Sequence, residues 1–203
     1  MYSSSVISTL QNVASRNPRR SVRQEQILDG LIDLFLAEGF AAFSVADLAE
    51  RLQCSKATLY DLADSKEQLI AAALRTFFRR ATDQVEADLA SVDDPVQRID
   101  AYLSAIGRAL QPAGAAFYDD LQAFAPAREI YSQNTAFAAD RVRELVQDAA
   151  PAQRAVDADF IAAVAAQTME SIQTGDLRER TGLDDAEAYR QLAALIVSAV
   201  SPR

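Results

Sequence analysis

The sequence predicts an all-α protein, and three observations carry that prediction. Half of its 203 residues are hydrophobic, enough for a sizeable core, yet only 6 are Gly and 6 are Pro, while good helix formers such as Ala, Leu, Arg, Glu and Gln are plentiful. Apolar residues recur at three- and four-residue spacing, the period of one buried helix face. No sustained two-residue alternation marks a half-buried strand.

The first helix is expected over Val22 to Glu38, with Ile27, Leu31, Leu34 and Phe35 as its buried stripe and Gly39 as the residue that ends it. Phe40 and Phe43 are expected to plug the core of the three helices that begin here. The second helix starts at Ser44, whose hydroxyl can cap it while Asp47 returns the hydrogen bond, and it buries Val45, Leu48, Ala49 and Leu52. The apolar period breaks at Gln53 and Cys54. Ser55 then offers a cap for a short helix from Lys56 to Leu62, and Ser65 opens another, with Gln68 in the capping-box position.

Two short helices joined by a tight turn form a unit that fits the DNA major groove. The second of them exposes Lys56, Thr58 and Tyr60, a cation and two hydroxyls suited to phosphate oxygens and base edges. Ala57 faces the same way and can touch a thymine methyl group; Gln53, at the turn, is a weaker candidate. Ser44 and Lys66 stand at the starts of neighbouring helices, where phosphates are received.

The helix opened by Ser65 should run to about Leu89, with Leu69, Ala73, Phe77 and Ala81 inside and Arg75, Arg79 and Arg80 on a solvated face. Asp94 and Pro95 begin the next, to about Leu110, and Gln111 to Gly114 break it. A short helix over Phe117 to Phe124 follows. Pro126 opens a long one carrying Ile130, Phe137, Val142, Leu145 and Val146, which a connection at Pro151 ends. Two helices remain, near Ala158 to Thr174 and Asp184 to Val200. The last is apolar over Tyr189, Leu192, Leu195, Ile196, Val197 and Val200, an arc that needs two partners, one of which another subunit could supply.

Net charge is −9, and it is unevenly placed. Residues 1–80 hold 10 Lys+Arg and 9 Asp+Glu, whereas residues 81–203 hold 10 and 20. Residues 1–24 carry Arg16, Arg19, Arg20 and Arg23 and no acid, a basic arm able to follow phosphates or enter a minor groove, or else a solvated tail. An organelle transit peptide has a similar composition and is the lesser reading.

No apolar run approaches the ~20 residues of a membrane span and no signal peptide leads the chain, so a cytoplasmic location is expected. The single cysteine, Cys54, fits a reducing compartment and is read as a small buried filler ahead of a redox switch. With no histidine, one cysteine, no glycine-rich phosphate loop and no nucleophile elbow, neither catalytic residues nor metal ligands are assigned, no cofactor is expected, and enzyme activity is improbable.

The string from Gln24 to about Leu74, QILDGLIDLFLAEGF followed by SVADLAERLQCSKATLY and SKEQL, resembles the TetR-type (TetR/AcrR) one-component transcriptional regulators. The chain departs from that pattern at Asp61, Leu62, Ala63 and Asp64, where family members often show two aromatics and a His that contacts phosphate.

The resemblance implies a flexible arm at 1–20, a helix-turn-helix DNA-binding domain at 21–67 and a helical effector-binding and dimerisation domain at 68–203. Ser44, Ser55, Lys56, Ala57, Thr58, Tyr60 and Lys66 would serve double-stranded DNA, with a palindromic operator. A homodimer would form through the last two helices, using Phe160, Val164, Ile172, Leu192, Leu195 and Ile196. An unknown small-molecule effector would enter the second domain and release the protein, a repressor, from DNA.

Candidate effector contacts are Tyr102, Phe117, Tyr118, Tyr131, Asn134, Phe137, Gln167 and Met169, polar or aromatic residues on otherwise apolar helices. Together they suggest an apolar or aromatic ligand. A cationic one, held by Asp119, Asp120 or Glu170, is the lesser hypothesis. The rival function is a helical dimer of the same architecture whose head binds a protein partner, since Asp61 and Asp64 lie beside the reading surface.

Overall fold

Side-chain capping sets most of the helix starts in this computed structural model, which describes residues 21–150 and 156–201. Residues 1–20 of the basic arm and Pro151 fall outside the described residues, whereas Arg23 lies in the first helix. The helices are α1 (Val22–Glu38), α2 (Val45–Arg51), α3 (Lys56–Tyr60), α4 (Lys66–Leu89), α5 (Pro95–Leu110), α6 (Ala115–Ala123), α7 (Ala125–Ala149), α8 (Ala158–Gln173), α9 (Asp176–Thr181) and α10 (Asp185–Val200). Ser21 and Gln24 close a reciprocal capping box at α1, and Ser44 and Asp47 another at α2. Asp94 accepts the Gln97 N–H at 2.8 Å ahead of Pro95, and Asp184 accepts the Glu187 N–H at 2.8 Å.

Three local expectations need correction. The helix at Lys56 ends at Tyr60, two residues early, because Leu62 turns its N–H back to the Leu59 carbonyl in a tighter three-residue bond. At α4 the Ser65 hydroxyl does accept the Gln68 N–H, but the Gln68 side chain reaches past the cap to the Asp64 N–H, 3.1 Å away. Helix α9 was not expected. Only Leu177 is apolar in its six residues, too few to show a period, and it is set off by Gly175 and Gly182, whose φ angles of 84° and 75° suit glycine.

The core falls into two clusters. The first joins Leu28, Leu31 and Phe35 of α1 to Leu48, Leu59, Leu69 and Leu74, and then continues into Phe117 and Leu121 of α6 and Tyr131 of α7. The second is built by Val85 and Leu89 of α4 with α5, α7, α8 and α10. Helix α4 therefore serves both clusters, and a boundary at residues 67/68 cuts through a continuous core. Each fully buried Leu or Phe in it contributes about 1.5–3 kcal/mol. At Gly30 a Cβ would come within 2.7 Å of the Leu52 methyl, so α1 lies tight against the end of α2.

Phe40 does not plug the head alone. Its ring meets Phe35 at 5.7 Å, and it also meets Phe117 at 6.3 Å and Phe124 at 6.2 Å, so it bridges head and body. Phe43 is only half-buried, with the Arg51 guanidinium 5.7 Å above its ring.

The junction is also polar. An oxygen of Asp120 on α6 accepts the N–H groups of Phe40 (2.5 Å) and Ala41 (2.7 Å), just past the end of α1. Gly114 donates its N–H to the Leu36 carbonyl at 2.8 Å. Gly39 permits this close approach: its φ is 76°, and a Cβ there would sit 2.6 Å from the same Asp120 oxygen. Arg80 is not on a merely solvated face; it pairs with Glu25 at 2.9 Å and Asp29 at 2.5 Å, tying α4 to α1.

Candidate nucleic-acid interface and body cavity

Helix α3 is held by one buried side chain and presents the others. Leu59 is buried among α1, α2 and α4 residues, whereas Lys56, Ala57 and Tyr60 are exposed and Thr58 is half-buried. Ser55 caps the helix by accepting the Thr58 N–H at 3.1 Å, and its hydroxyl lies 2.8 Å from the Thr58 hydroxyl. Thr58 is thereby oriented by Ser55, leaving Lys56 and Tyr60 as the freest polar groups of the helix. The turn before it passes through Gln53, the one non-glycine residue with positive φ (49°) among the described residues. Cys54 packs half-buried against the head core, and burial pushes its thiol pKa up, away from the reactive thiolate.

The flanking candidates divide. Ser44 is exposed, and its hydroxyl is engaged in the α2 capping box, where its hydrogen bond holds the Asp47 carboxyl below the usual carboxylate range. Lys66 is half-buried and donates to the Ala41 carbonyl at 2.8 Å, so it braces the loop before α2 before it serves any phosphate. Residues 21–67 hold four Lys or Arg against nine Asp or Glu. Of these cations Arg51 is paired with Glu38, and Asp61 and Asp64 stand exposed beyond α3. The folded head alone is thus acidic, and positive charge for a polyanion has to come from Lys56, Arg23, Arg75 and Arg79 together with residues 1–20.

In the body, a cavity of ≈ 40 Å³ opens between α4, α5, α7 and α8. Of the candidate effector contacts it brings together Tyr102, Asn134, Phe137 and Met169, and adds Phe78, Thr135 and Gln173. Tyr131 is buried one turn before Thr135 and packs on Phe78 at 6.1 Å. Phe117 lies in the head–body core, and Gln167 faces solvent on α8, so neither reaches the cavity. Gln173, one turn beyond Met169, holds the place sought for Gln167; a glutamine in register with buried Met169 and Ile172 was the available signal. Burial raises the phenol pKa values of Tyr102 and Tyr131, keeping both neutral.

A larger polar cleft of ≈ 700 Å³ lies between α5, the start of α6, α9 and the start of α10, with Tyr118, Asp119, Arg108, Arg178 and Arg190 among its walls. Here the carboxylates considered for a cation part company: Asp119 faces this cleft, Asp120 is committed to the head, and Glu170 is exposed on α8. Asp120 was missed as a structural contact because its partners, two backbone N–H groups 79 and 80 residues away, leave no trace in local sequence.

The subunit-interface candidates also divide. Phe160 and Leu195 are 65% and 63% exposed and Val164 is half-buried, whereas Ile172, Leu192 and Ile196 are already covered inside the chain's own core. The expected contact set is corrected accordingly: only the first three are open to a second copy. Among the described residues no group of His, Cys, Asp or Glu could hold a metal ion, and no helix is long and apolar enough to cross a membrane.

Comparison with known proteins agrees with this geometry. Residues 27–73 match the family model described as "Bacterial regulatory proteins, tetR family". An uncharacterised HTH-type transcriptional regulator of Mycobacterium tuberculosis is 31% identical over 81 residues; that is 40% of this chain, and the chain spans about 40% of the relative's length. Among solved structures, a protein of Saccharomonospora viridis described as a transcriptional regulator in complex with choline aligns over 91% of this chain and 100% of its own, at 19% identity and a TM-score of 0.72. A TetR-family regulator of Streptomyces coelicolor aligns over 96% of both chains, at 20% identity and a TM-score of 0.67. At those identities the likeness extends to the fold, an all-α chain with an N-terminal helix-turn-helix head.

Proposed function

From the match of residues 27–73 to the tetR family of bacterial regulatory proteins, we propose that the chain is a DNA-binding transcriptional repressor of that family that acts as a homodimer and is released by a small-molecule effector. The observation that carries the DNA reading is the presentation of α3: its one large apolar side chain, Leu59, anchors it, and its outer face offers Lys56, Ala57 and Tyr60. In this reading Lys56 binds phosphate, Tyr60 donates to a phosphate or base edge, and Thr58, oriented by Ser55, contributes from the same face. The acidic head makes the arm's Arg16, Arg19 and Arg20 the main further source of phosphate affinity.

One five-residue helix grips weakly, and a two-fold dimer would pair two of them on a palindrome. Phe160 and Val164 of α8 and Leu195 of α10 supply an apolar face for that dimer. Effector release would pass from the cavity lined by Phe78 and Val85 along α4, whose Leu69 and Leu74 lie in the head core, and through α6, which packs on α7 and holds the head through Asp120. A shift of α6 pulls on the Phe40–Ala41 link and so on α2 and α3. The protein-partner reading keeps one supporting observation, the exposed Asp61 and Asp64 beside α3.

Binding of Lys56→Ala and Tyr60→Phe to an operator decides between them. A lost contact to a charged group weakens DNA binding by about 10- to 100-fold for Lys56→Ala, and loss of one neutral hydrogen bond by about 3- to 10-fold for Tyr60→Phe. Unchanged DNA affinity in both variants contradicts the proposed recognition surface.

A further inference from the structure

The cavity between α4, α5, α7 and α8 is apolar in most of its wall, but it contains polar atoms that lack partners. Gln173 is 8% exposed, and its Nε2 donates to the Tyr189 hydroxyl at 2.8 Å, while its Oε1 is buried with no hydrogen bond. On the facing helix the Thr135 hydroxyl, which lines the cavity, is buried and makes no hydrogen bond of good geometry, with the buried Tyr131 phenol as its polar neighbour. A buried polar atom left without a partner costs about 1–3 kcal/mol, and two in the lining of one cavity mark a place where a ligand can supply the bonds.

The rest of the lining says what kind of molecule. Phe78, Val85, Ile106, Met169 and Phe137 supply apolar contact, and no Asp, Glu, Lys or Arg is among the lining residues. The ions nearest Tyr102, those of Glu86, Arg141 and Glu144, are held in pairs with one another, Arg141 bridging Glu86 at 2.9 Å and Glu144 at 2.8 Å. A charged ligand would enter this wall without a counter-ion, which is far costlier than bringing a neutral hydroxyl to waiting hydroxyl and carbonyl groups. Phe137, 39% exposed, and half-buried Asn134 stand at the mouth, so a ligand larger than the present ≈ 40 Å³ enters by moving them.

We propose that this cavity takes a neutral, mainly apolar alcohol or phenol whose hydroxyl donates to Gln173 Oε1 and accepts from Thr135. The proposal names the effector class and rests on the effector-released reading above. The test uses the full chain with four probes, para-cresol, n-octanol, choline and octanoate, measured by calorimetry and thermal shift. Para-cresol or n-octanol should bind and raise the melting temperature, with choline and octanoate at least tenfold weaker. Thr135→Val and Gln173→Met should each weaken the neutral probe about 3- to 10-fold, the loss of one neutral hydrogen bond. Thr135→Val, nearly isosteric and half-buried, guards against a folding defect in Gln173→Met, which also removes the partner of Tyr189. Tighter binding of choline or octanoate, no binding of either neutral probe, or neutral-probe affinity unchanged in both variants overturns the assignment. Neutral probes that bind in this way but leave the operator complex intact support the ligand class and contradict effector release alone.

Discussion

Replacing Asp120 by Ala should loosen the head from the body more than any other single polar substitution at the junction. The carboxylate oxygen accepts two backbone N–H groups, from part-buried Phe40 at 2.5 Å and from exposed Ala41 at 2.7 Å. A hydrogen bond to a charged group contributes about 1.5–3 kcal/mol; water can replace the one at Ala41, so the net loss is about 2–4 kcal/mol. For a chain of this size that lowers the melting temperature by about 4–15 °C. Asp120→Asn keeps an acceptor oxygen without the charge and should lose about half as much.

The assay is a thermal melt by circular dichroism together with amide hydrogen exchange. In Asp120→Ala the Phe40 amide should exchange faster while amides in the middle of α8 keep their protection. A melting temperature within about 1 °C of the parent, with Phe40 still protected, would refute the latch.

Two further predictions concern other parts of the molecule. Leu195→Asp places a charge on the exposed apolar face of α10; if that face joins two copies, the dimer dissociation constant should rise by at least about 100-fold in sedimentation equilibrium, and an unchanged dimer would remove α10 from the interface. The Asp47 carboxyl, lowered by its hydrogen bonds to Ser44, stabilises the head above its ordinary pKa of about 3.9, and that stabilisation is lost as pH falls through the depressed folded value. The difference in melting temperature between parent and Asp47→Asn should therefore shrink as pH is taken from about 6 to below about 4; a constant difference would rule out the carboxylate as its source.

Much of the fold was legible because helix starts are local chemistry. Ser21, Ser44, Ser55, Ser65, Asp94, Asp157 and Asp184 each accept a backbone N–H three residues on, and the period of the apolar residues supplied the rest. The exposure of Lys56 and Tyr60 followed from the burial of Leu59 between them. What escaped was set by tertiary packing. Whether Phe40 fills the head or bridges to Phe117, and whether Leu192 and Ile196 meet another copy or their own α5 and α8, depends on which helices lie opposite. One sequence does not encode that in its periodicity. Gln173 was within reach, since a polar residue in register with Met169 and Ile172 must be buried; Asp120 was not, because its partners lie some 80 residues away.

The central claim is sequence-specific, phosphate-dependent DNA recognition by this head, and binding-site selection from random duplexes with the full chain tests it most directly, followed by affinity for the winner at two salt concentrations. The account predicts an enriched palindrome whose affinity falls steeply as salt rises. No enrichment even at low salt would contradict it and favour a head that binds protein.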